Sequence, residues 1–243
     1  PGLERALTTN GSALAGRARE LKQAGLKRIT VSLDAMDETV YRRMNDADYP
    51  VARVLAGIDA AADAGLGPVK VNAVIKRGVN DGEVLALARH FRGSGHVLRF
   101  IEYMDVGNSN DWRHRDLVPA EEIVDTVHRA YPLEFLAPNF SGEVAQRWRY
   151  RDGAGEIGVV ASVTRAFCST CTRLRLSTDG QLYTGLFASD GHDLRRLLRQ
   201  GAGDTELRAA VAHIRSARDD RYSELRMAGR PAIRKIEMSY IGG

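Results

Sequence analysis

The hydrophobic positions in the first half of the chain alternate between a helical spacing and short strand-like runs. Apolar residues three and four apart predict helices over 12–24, 51–64, 83–91 and 120–129. Short β-branched or apolar runs between them predict strands over 29–33, 69–75 and 97–103. Strands separated by helices of this length are βαβ units, which imply a parallel sheet or barrel. We therefore predict an α/β fold, with ligand sites at the carboxyl ends of the strands.

Single residues mark the predicted ends of the helices. Ser12 is expected to cap the first helix, and Gly25 and Gly65 to end the first and second. Pro119 precedes the fourth helix, which carries acidic residues in its first turn, where they favour the helix dipole.

The pattern changes after residue 132. Segments 133–136, 144–150 and 156–163 are short and strand-like, with Gly-rich turns that indicate antiparallel pairing. Helical patterns return at 194–199 and 205–217. We predict two domains: a partial (β/α) barrel over 1–132, and a C-terminal α+β region over 133–243.

The parity of strand 69–75 indicates a functional face. Lys70 and Asn72 share one side of the strand, and its apolar residues share the other, which the helices must cover. An inward ammonium is costly unless an anion or a carboxylate meets it. An internal ion pair with an acid such as Asp34 and a bound anionic ligand are equally compatible with this pattern. Further polar candidates lie at the strand ends: Thr8 to Asn10, Ser32, Glu102 and Met104.

Composition narrows the class of protein. Of the 243 residues, 44% are hydrophobic and 27% charged, which is typical of a soluble globular protein. The net charge of +4 is spread along the chain, which suggests anionic ligands but not nucleic acid. Two cysteines suit a reducing cytoplasm, and no apolar run approaches the length needed to span a membrane. The chain begins at Pro1 in what resembles the middle of a domain, so we expect a fragment.

The two cysteines form one motif, Cys168-Ser169-Thr170-Cys171. This spacing lets both sulfurs reach one metal or one redox couple. The strand-like alternation that follows disfavours a thioredoxin-type site, which would open a helix. Three interpretations of the motif remain: a metal centre, a small zinc site, and two reduced thiols in a loop.

Two arginines follow this motif. Arg173 and Arg175 lie two apart, so their guanidiniums share one face, and Leu174 and Leu176 are expected to face the core. Two such planar donor forks form a receptor for phosphate or carboxylate. The alternative is an ordinary solvent-facing strand edge.

Several common catalytic motifs are absent from the sequence. The chain has no GxGxxG or Walker A loop, no HExxH and no Gly-x-Ser-x-Gly elbow. A Rossmann oxidoreductase, a P-loop NTPase and a triad hydrolase therefore have no support.

Seven segments in the same order resemble the GTP 3′,8-cyclase family, the radical S-adenosylmethionine enzymes that begin molybdenum-cofactor biosynthesis. These segments are 7–11, 31–35, 69–72, 99–104, 167–175, 218–223 and 241–243. The resemblance implies a lyase that converts GTP to (8S)-3′,8-cyclo-7,8-dihydroguanosine 5′-triphosphate in the cytoplasm. In that family an N-terminal [4Fe-4S] cluster cleaves S-adenosylmethionine, and a second cluster held by three cysteines binds the GTP base, so the resemblance implies both cofactors.

The resemblance also implies roles for individual residues. GTP would contact Thr8, Lys70, Arg173, Leu174 and Arg175. S-adenosylmethionine would contact Ser32 and Met104. The second cluster would be held by Cys168 and Cys171, and Gly242 and Gly243 would reach into the active site. The partners implied are these two small molecules, without nucleic acid or membrane. A monomer and a homodimer both stay open.

Two departures from the family pattern qualify this expectation. The Cys-x3-Cys-x2-Cys segment of the radical-generating cluster is absent, so we expect an N-terminally truncated form that cannot cleave S-adenosylmethionine alone. Gly185 occupies the position of the third cysteine of the second cluster. The alternatives are a non-catalytic remnant that binds nucleotide or a partner, and a small Cys-x-x-Cys zinc module.

Overall fold

A mixed sheet organises the first of two units in a computed structural model of the chain. The structure describes residues 2–45, 48–107, 111–165, 173–218, 236–238 and 240–241. The first unit comprises Pro1–Tyr103 and His114–Thr164, and the second comprises Met104–Arg113 and Arg165–Gly243.

The first unit alternates strands and helices along most of its length. Its elements in chain order are β1 (Ala6–Thr9), α1 (Ala18–Gln23), β2 (Arg28–Ser32), α2 (Glu38–Met44), α3 (Val51–Ala61), β3 (Lys70–Ile75), α4 (Val84–Phe91), β4 (Val97–Glu102), α5 (Ala120–Ala130), β5 (Leu133–Leu136), β6 (Gln146–Tyr150) and β7 (Glu156–Val160). In the described part of the unit these strands form one seven-stranded sheet in the order β1-β2-β3-β4-β7-β6-β5. The first five strands of that order are parallel. β6 is antiparallel to β7, and β5 is antiparallel to β6, so β6 alone runs against the other six.

Strand parity divides the sheet into two faces, as the sequence predicts. In β3, Val71, Ala73 and Ile75 are fully buried, whereas Lys70 and Asn72 on the other side are half-buried. The core lies between the buried face and apolar residues of the helices, which include Val54, Ile58, Leu87, Ile123 and Val127. Burial of these side chains, about 1.5–3 kcal/mol each, fixes the register of the strands.

The first predicted helix is shorter than expected. It begins at Ala18 after a turn of 3-10 helix, because Ser12 does not act as its cap. The Asn10 Oδ1 instead accepts hydrogen bonds from the Ser12 backbone N–H and hydroxyl, at 3.1 and 2.9 Å, which closes a local turn. The predicted stop at Gly25 is confirmed. Its φ of +87° lets the Leu26 and Gly25 N–H groups bond back to α1 carbonyls.

Helix α2 is absent from the sequence-based prediction. It has seven residues and buries Tyr41 alone, so it lacks the repeated apolar spacing that reveals longer helices. Its signal is the cap, because the Asp37 carboxylate accepts hydrogen bonds from the Thr39 and Val40 N–H groups, each at 2.9 Å.

The first unit extends beyond the boundary predicted at 132/133. The antiparallel strands β5 and β6 pair through β7 onto β4, in one sheet with the parallel strands. The change of pattern after residue 132 therefore marks a change from parallel to antiparallel pairing within one sheet, and the unit continues to Thr164.

The second unit contains a smaller sheet and two helices. Its described elements are β8 (Arg175–Leu176), β9 (Gln181–Tyr183), β10 (His192–Asp193), α6 (Leu194–Arg199) and α7 (Asp204–Ser216). The strands are antiparallel in the order β10-β9-β8. A small apolar cluster of Tyr183, Ala188 and Ile241, with Ile236 against it, packs beside β9. None of the described helices in either unit has the length and hydropathy of a membrane span.

Glu102 ties three segments of the first unit together. Its side chain is fully buried at the end of β4 and accepts hydrogen bonds from the N–H groups of Ala120, Val163 and Thr164. The Thr164 hydroxyl donates a fourth bond, at 2.5 Å. The sequence places Glu102 among the polar site candidates, but this carboxylate binds the start of α5 and the segment after β7, which is a structural role.

We expect Glu102→Ala to lower the free energy of unfolding of the protein by about 3 kcal/mol or more, because two buried N–H groups and one partly buried N–H group lose their acceptor. Glu121→Ala, an exposed acid on the first turn of α5, should cost less than about 1 kcal/mol. Urea unfolding of both variants measures the difference. Equal costs would contradict the role given to Glu102.

Candidate functional site

The face of the sheet opposite the helices carries polar side chains in register on neighbouring strands. We call this the inner face. One row across it contains Thr8, Thr30 and Lys70, which are paired in that order on β1, β2 and β3. A second row contains Ser32, Asn72 and Arg99, paired on β2, β3 and β4. The two rows cross the sheet obliquely, because Thr8 and Ser32 lie toward the carboxyl ends of β1 and β2, whereas Lys70 begins β3. Asn72 and Arg99 lie in the amino half of β3 and β4. Ser32 is thus the member of the rows at a carboxyl end, where ligand sites of such sheets gather.

Lys70 lies in a cationic environment on the inner face. Burial lowers the pKa of its ammonium, and the nearby charges of Arg99 and Arg28 lower it further, against the opposing effect of Glu143. The predicted alternative of an ion pair with Asp34 is wrong, because among the described residues Lys70 forms no ion pair. The Asp34 carboxylate accepts a hydrogen bond from the Val74 N–H instead, at 2.8 Å.

Arg99 is a second cation of the inner face, which the sequence analysis did not select as a site residue. Burial lowers the pKa of its guanidinium, Glu143 opposes this, and Arg28 lowers it again. Strand parity in the sequence indicates this position. Arg99 alternates with the buried Leu98 and Phe100, just as Lys70 alternates with Val71.

Gly158 on β7 gives the Arg99 side chain its space. It pairs with Arg99 across the sheet, and an added Cβ would lie 3.1 Å from the Arg99 Cγ and 3.3 Å from the Ala145 Cβ. A glycine in the middle of a strand packs no side chain of its own, and here it accommodates that of its neighbour.

The inner face therefore brings together three cations: Lys70, Arg99 and Arg28. In the described part of the chain, only Arg28 among them forms an ion pair, with Glu4 at 2.7 Å. Like charges that share a half-buried surface disfavour one another until an anion lies between them. A ligand with several negative charges matches this arrangement.

The carboxyl ends of β2 and β3 are held by Asn80 and Asp34, both buried. The Asn80 amide donates to the carbonyls of Asp34 and Val74, at 2.7 and 2.8 Å, and its oxygen accepts from the Lys76 N–H at 2.7 Å. These bonds fix the loops that follow both strands, next to the second row of the inner face.

The residues predicted to contact S-adenosylmethionine lie in different units. Ser32 is half-buried on the inner face, in the row of Asn72 and Arg99. Met104 is half-buried in the segment directly after β4, which belongs to the second unit.

The predicted arginine pair lies in the second unit. Arg173, Leu174 and Arg175 are each half-buried, and Arg175 pairs with Tyr183 across β8 and β9. The expectation that Leu176 faces the core is wrong, because its side chain is 61% exposed at the end of a two-residue strand.

The residues predicted to hold the second cluster are only partly described. Cys168 and Cys171 lie outside the described residues, as do Gly242 and Gly243. Gly185 is buried two residues beyond the end of β9 and offers no ligating atom. Because the chain has two cysteines in all, a cluster held by three protein thiolates does not fit this sequence.

Comparison with known proteins extends over both units. Residues 1–91 match the Radical SAM superfamily, and residues 96–224 match the family described as Molybdenum Cofactor Synthesis C. A GTP 3′,8-cyclase of Acidothermus cellulolyticus is 53% identical over 98% of this chain and 73% of its own length. The enzymes of the same name from Xanthomonas axonopodis pv. citri and Staphylococcus epidermidis are 49% and 42% identical, each over 98% of this chain and 71% of their own length.

Among solved structures, a radical SAM methyltransferase from Sphaerobacter thermophilus covers 51% of this chain and 37% of its own. Its TM-score of 0.42 and identity of 21% are too low to bear on the site.

Asp34 is expected to make stability depend on pH. Burial raises its pKa to about 6, above the value of about 3.9 for an unfolded chain. The folded state thus binds this proton more tightly, so its contribution is full below about pH 4 and is lost as the pH rises through about 6. The loss amounts to at most about 3 kcal/mol.

Asp34→Asn keeps an acceptor for the Val74 N–H and removes the ionisation. Its free energy of unfolding should fall less than that of the parent between pH 4 and 7 in urea titrations. The exposed Asp63→Asn should follow the parent throughout. A parallel curve for Asp34→Asn would refute the assignment.

Proposed function

The chain belongs to the GTP 3′,8-cyclase family of radical S-adenosylmethionine enzymes, and we propose that its inner face binds the triphosphate of GTP during that family's cyclisation reaction. The observation that carries this proposal is the cluster of Lys70, Arg99 and Arg28 on one face of the sheet. Burial, and then the neighbouring cations Arg99 and Arg28, lower the pKa of the Lys70 ammonium. A triphosphate supplies the negative charge that the cluster lacks.

The first row of the inner face suits the remainder of a nucleotide. Thr30 is paired with Lys70, and Thr8 is paired with Thr30 on the strand beyond. Each threonine offers a hydroxyl that can donate and accept. We propose that Lys70 and Arg99 hold the phosphates, and that Thr8 orients the nucleotide beside them. Arg99 is thus an additional GTP contact beyond those that the resemblance implies.

S-adenosylmethionine supplies the radical that takes a hydrogen from the GTP ribose in this family. In this chain we propose that Ser32 and Met104 contact it. Ser32 supports this role because its hydroxyl lies on the inner face in the row of Arg99. The bonds from Asn80 to the Asp34 and Val74 carbonyls hold the loops beside that hydroxyl.

We propose that Arg173, Leu174 and Arg175 of the second unit also contact GTP, as the resemblance implies. Their support is the half-buried position of all three, with Arg175 fixed in β8. We assign no step to a second iron–sulfur cluster, because Gly185 cannot supply the third thiolate. The two-cysteine composition also supports a place for this activity in the reducing cytoplasm.

Lys70→Ala and Arg99→Ala should each weaken GTP binding by about tenfold or more, because each removes a charge-assisted contact to phosphate. Binding of guanosine, which has no phosphate, should change little. Isothermal titration of the protein with both ligands measures the two affinities. Arg19→Ala, on the exposed side of α1, is the matched control and should leave both unchanged. Unaltered GTP affinity in the Lys70 and Arg99 variants, or equal losses for guanosine, would overturn the triphosphate site.

Gly185→Cys should raise the iron bound after anaerobic reconstitution with iron and sulfide, if Cys168 and Cys171 lack only the third ligand. Ser189→Cys adds a thiol four residues away and controls for non-specific iron uptake. Iron per chain and the visible absorption of the cluster are the measurements. Equal iron in both variants would show that the lost cysteine is not the limiting feature.

A further inference from the structure

The C-terminal segment of the second unit is attached at several points. Ile241 is 2% exposed and packs in the apolar cluster with Tyr183 and Ala188. The Ile236 N–H donates to the Ala188 carbonyl at 3.4 Å, at the other end of the segment. Residues 236–238 and 240–241 therefore lie against β9 and the residues that follow it.

The turn between β8 and β9 holds the same segment through a carboxylate. The Tyr240 hydroxyl donates to the Asp179 Oδ2 at 2.5 Å, and the Ser177 hydroxyl donates to the Asp179 Oδ1. Ser177 is buried and also accepts a hydrogen bond from the Gln181 N–H, at 3.0 Å. The Tyr240 ring meets that of Tyr183 edge to face, with centroids 6.5 Å apart. Asp179 thus connects the end of the chain to a turn that is itself fixed.

The segment has a second contact, with the residues that follow β4. Gly107 is buried with a φ of +67°, and an added Cβ there would lie 2.9 Å from the Glu237 Cδ. The carboxylate end of the Glu237 side chain therefore lies directly on the Gly107 backbone. The positive φ at this position favours glycine. Both contacts lie within the second unit.

We propose that the C-terminal segment is a brace that positions the loop 104–107, with Asp179 and Tyr240 as positioning residues and Ile241 as its apolar anchor. The segment spans from the β8–β9 turn to Gly107, so displacement of either attachment frees the loop. Met104 lies in this loop, and its part in binding S-adenosylmethionine rests on the proposed function. The brace itself rests only on the contacts of Tyr240, Ile241 and Glu237.

Hydrogen exchange of the intact protein, followed by mass spectrometry, tests the brace without ligand. Tyr240→Phe keeps the ring contact with Tyr183 and removes the bond to Asp179, and Ile241→Ala removes the apolar anchor. We expect amide exchange to rise about tenfold or more in Ile241→Ala, both in the C-terminal segment and in loop 104–107. Tyr240→Phe should show a smaller rise in the same two places, because its hydrogen bond is exposed.

Asp179→Asn and Asp190→Asn form the matched pair. Both remove one carboxylate of the second unit, but Asp190 bonds only to its neighbour Ser189 among the described residues. Asp179→Asn should speed exchange in loop 104–107, and Asp190→Asn should not. Faster exchange of the C-terminal segment alone, or no change in either place, would overturn the brace. If a variant unfolds as a whole, amide exchange also becomes faster in β9. The test of the brace then depends on whether Tyr240→Phe, the milder change, speeds exchange in loop 104–107.

Titration with S-adenosylmethionine separates the brace from the proposed function. A weaker affinity in Tyr240→Phe, together with faster exchange of loop 104–107, supports both. Faster exchange with unchanged affinity supports the brace and counts against the role of Met104.

Discussion

The two-residue period of the parallel strands is the constraint on which the remaining structure depends. Because helices cover one face of β2, β3 and β4, every second residue must be apolar, and the residues between them are left to the inner face. A one-residue slip would bury Lys70 and Arg99 among the helices and expose Val71 and Phe100. The packing that stabilises the fold therefore also concentrates the cations. The stability of the core and the charge of the candidate site follow from one register.

Features that depend on neighbouring residues in the sequence can be predicted from it, whereas features that depend on distant residues cannot. Strand parity alone predicts that Lys70 lies on the inner face, since parity needs only the residues of one strand. The same parity applies to Arg99. Its role as a candidate site residue, however, depends on its closeness to Arg28, which the sequence of one strand does not reveal. Ser12 does not cap the first helix, because its hydroxyl turns back to donate to Asn10, two residues earlier. Glu102 looked like a site residue because its partners, Ala120, Val163 and Thr164, are distant in sequence.

The similarity to one enzyme family extends over segments whose local patterns are ambiguous. Leu176 shows the weakness of alternation in short segments, since β8 has two residues and too little partner surface to impose a buried face. The identity of 53% to a GTP 3′,8-cyclase covers both units and thus includes regions where periodicity is weak. Gly185 departs from the family pattern within that similarity. A glycine at the position of the third cysteine removes one thiolate ligand, although the sequence around it remains similar.

The pairing of Gly158 with Arg99 has an evolutionary consequence. While the guanidinium stem lies over β7, even a methyl group at position 158 forces its neighbours to shift. A lineage that lost the arginine would free position 158 to acquire a side chain, and a lineage that filled position 158 first would displace the arginine. The two positions are therefore expected to drift together across related sequences, although they are 59 residues apart in the chain.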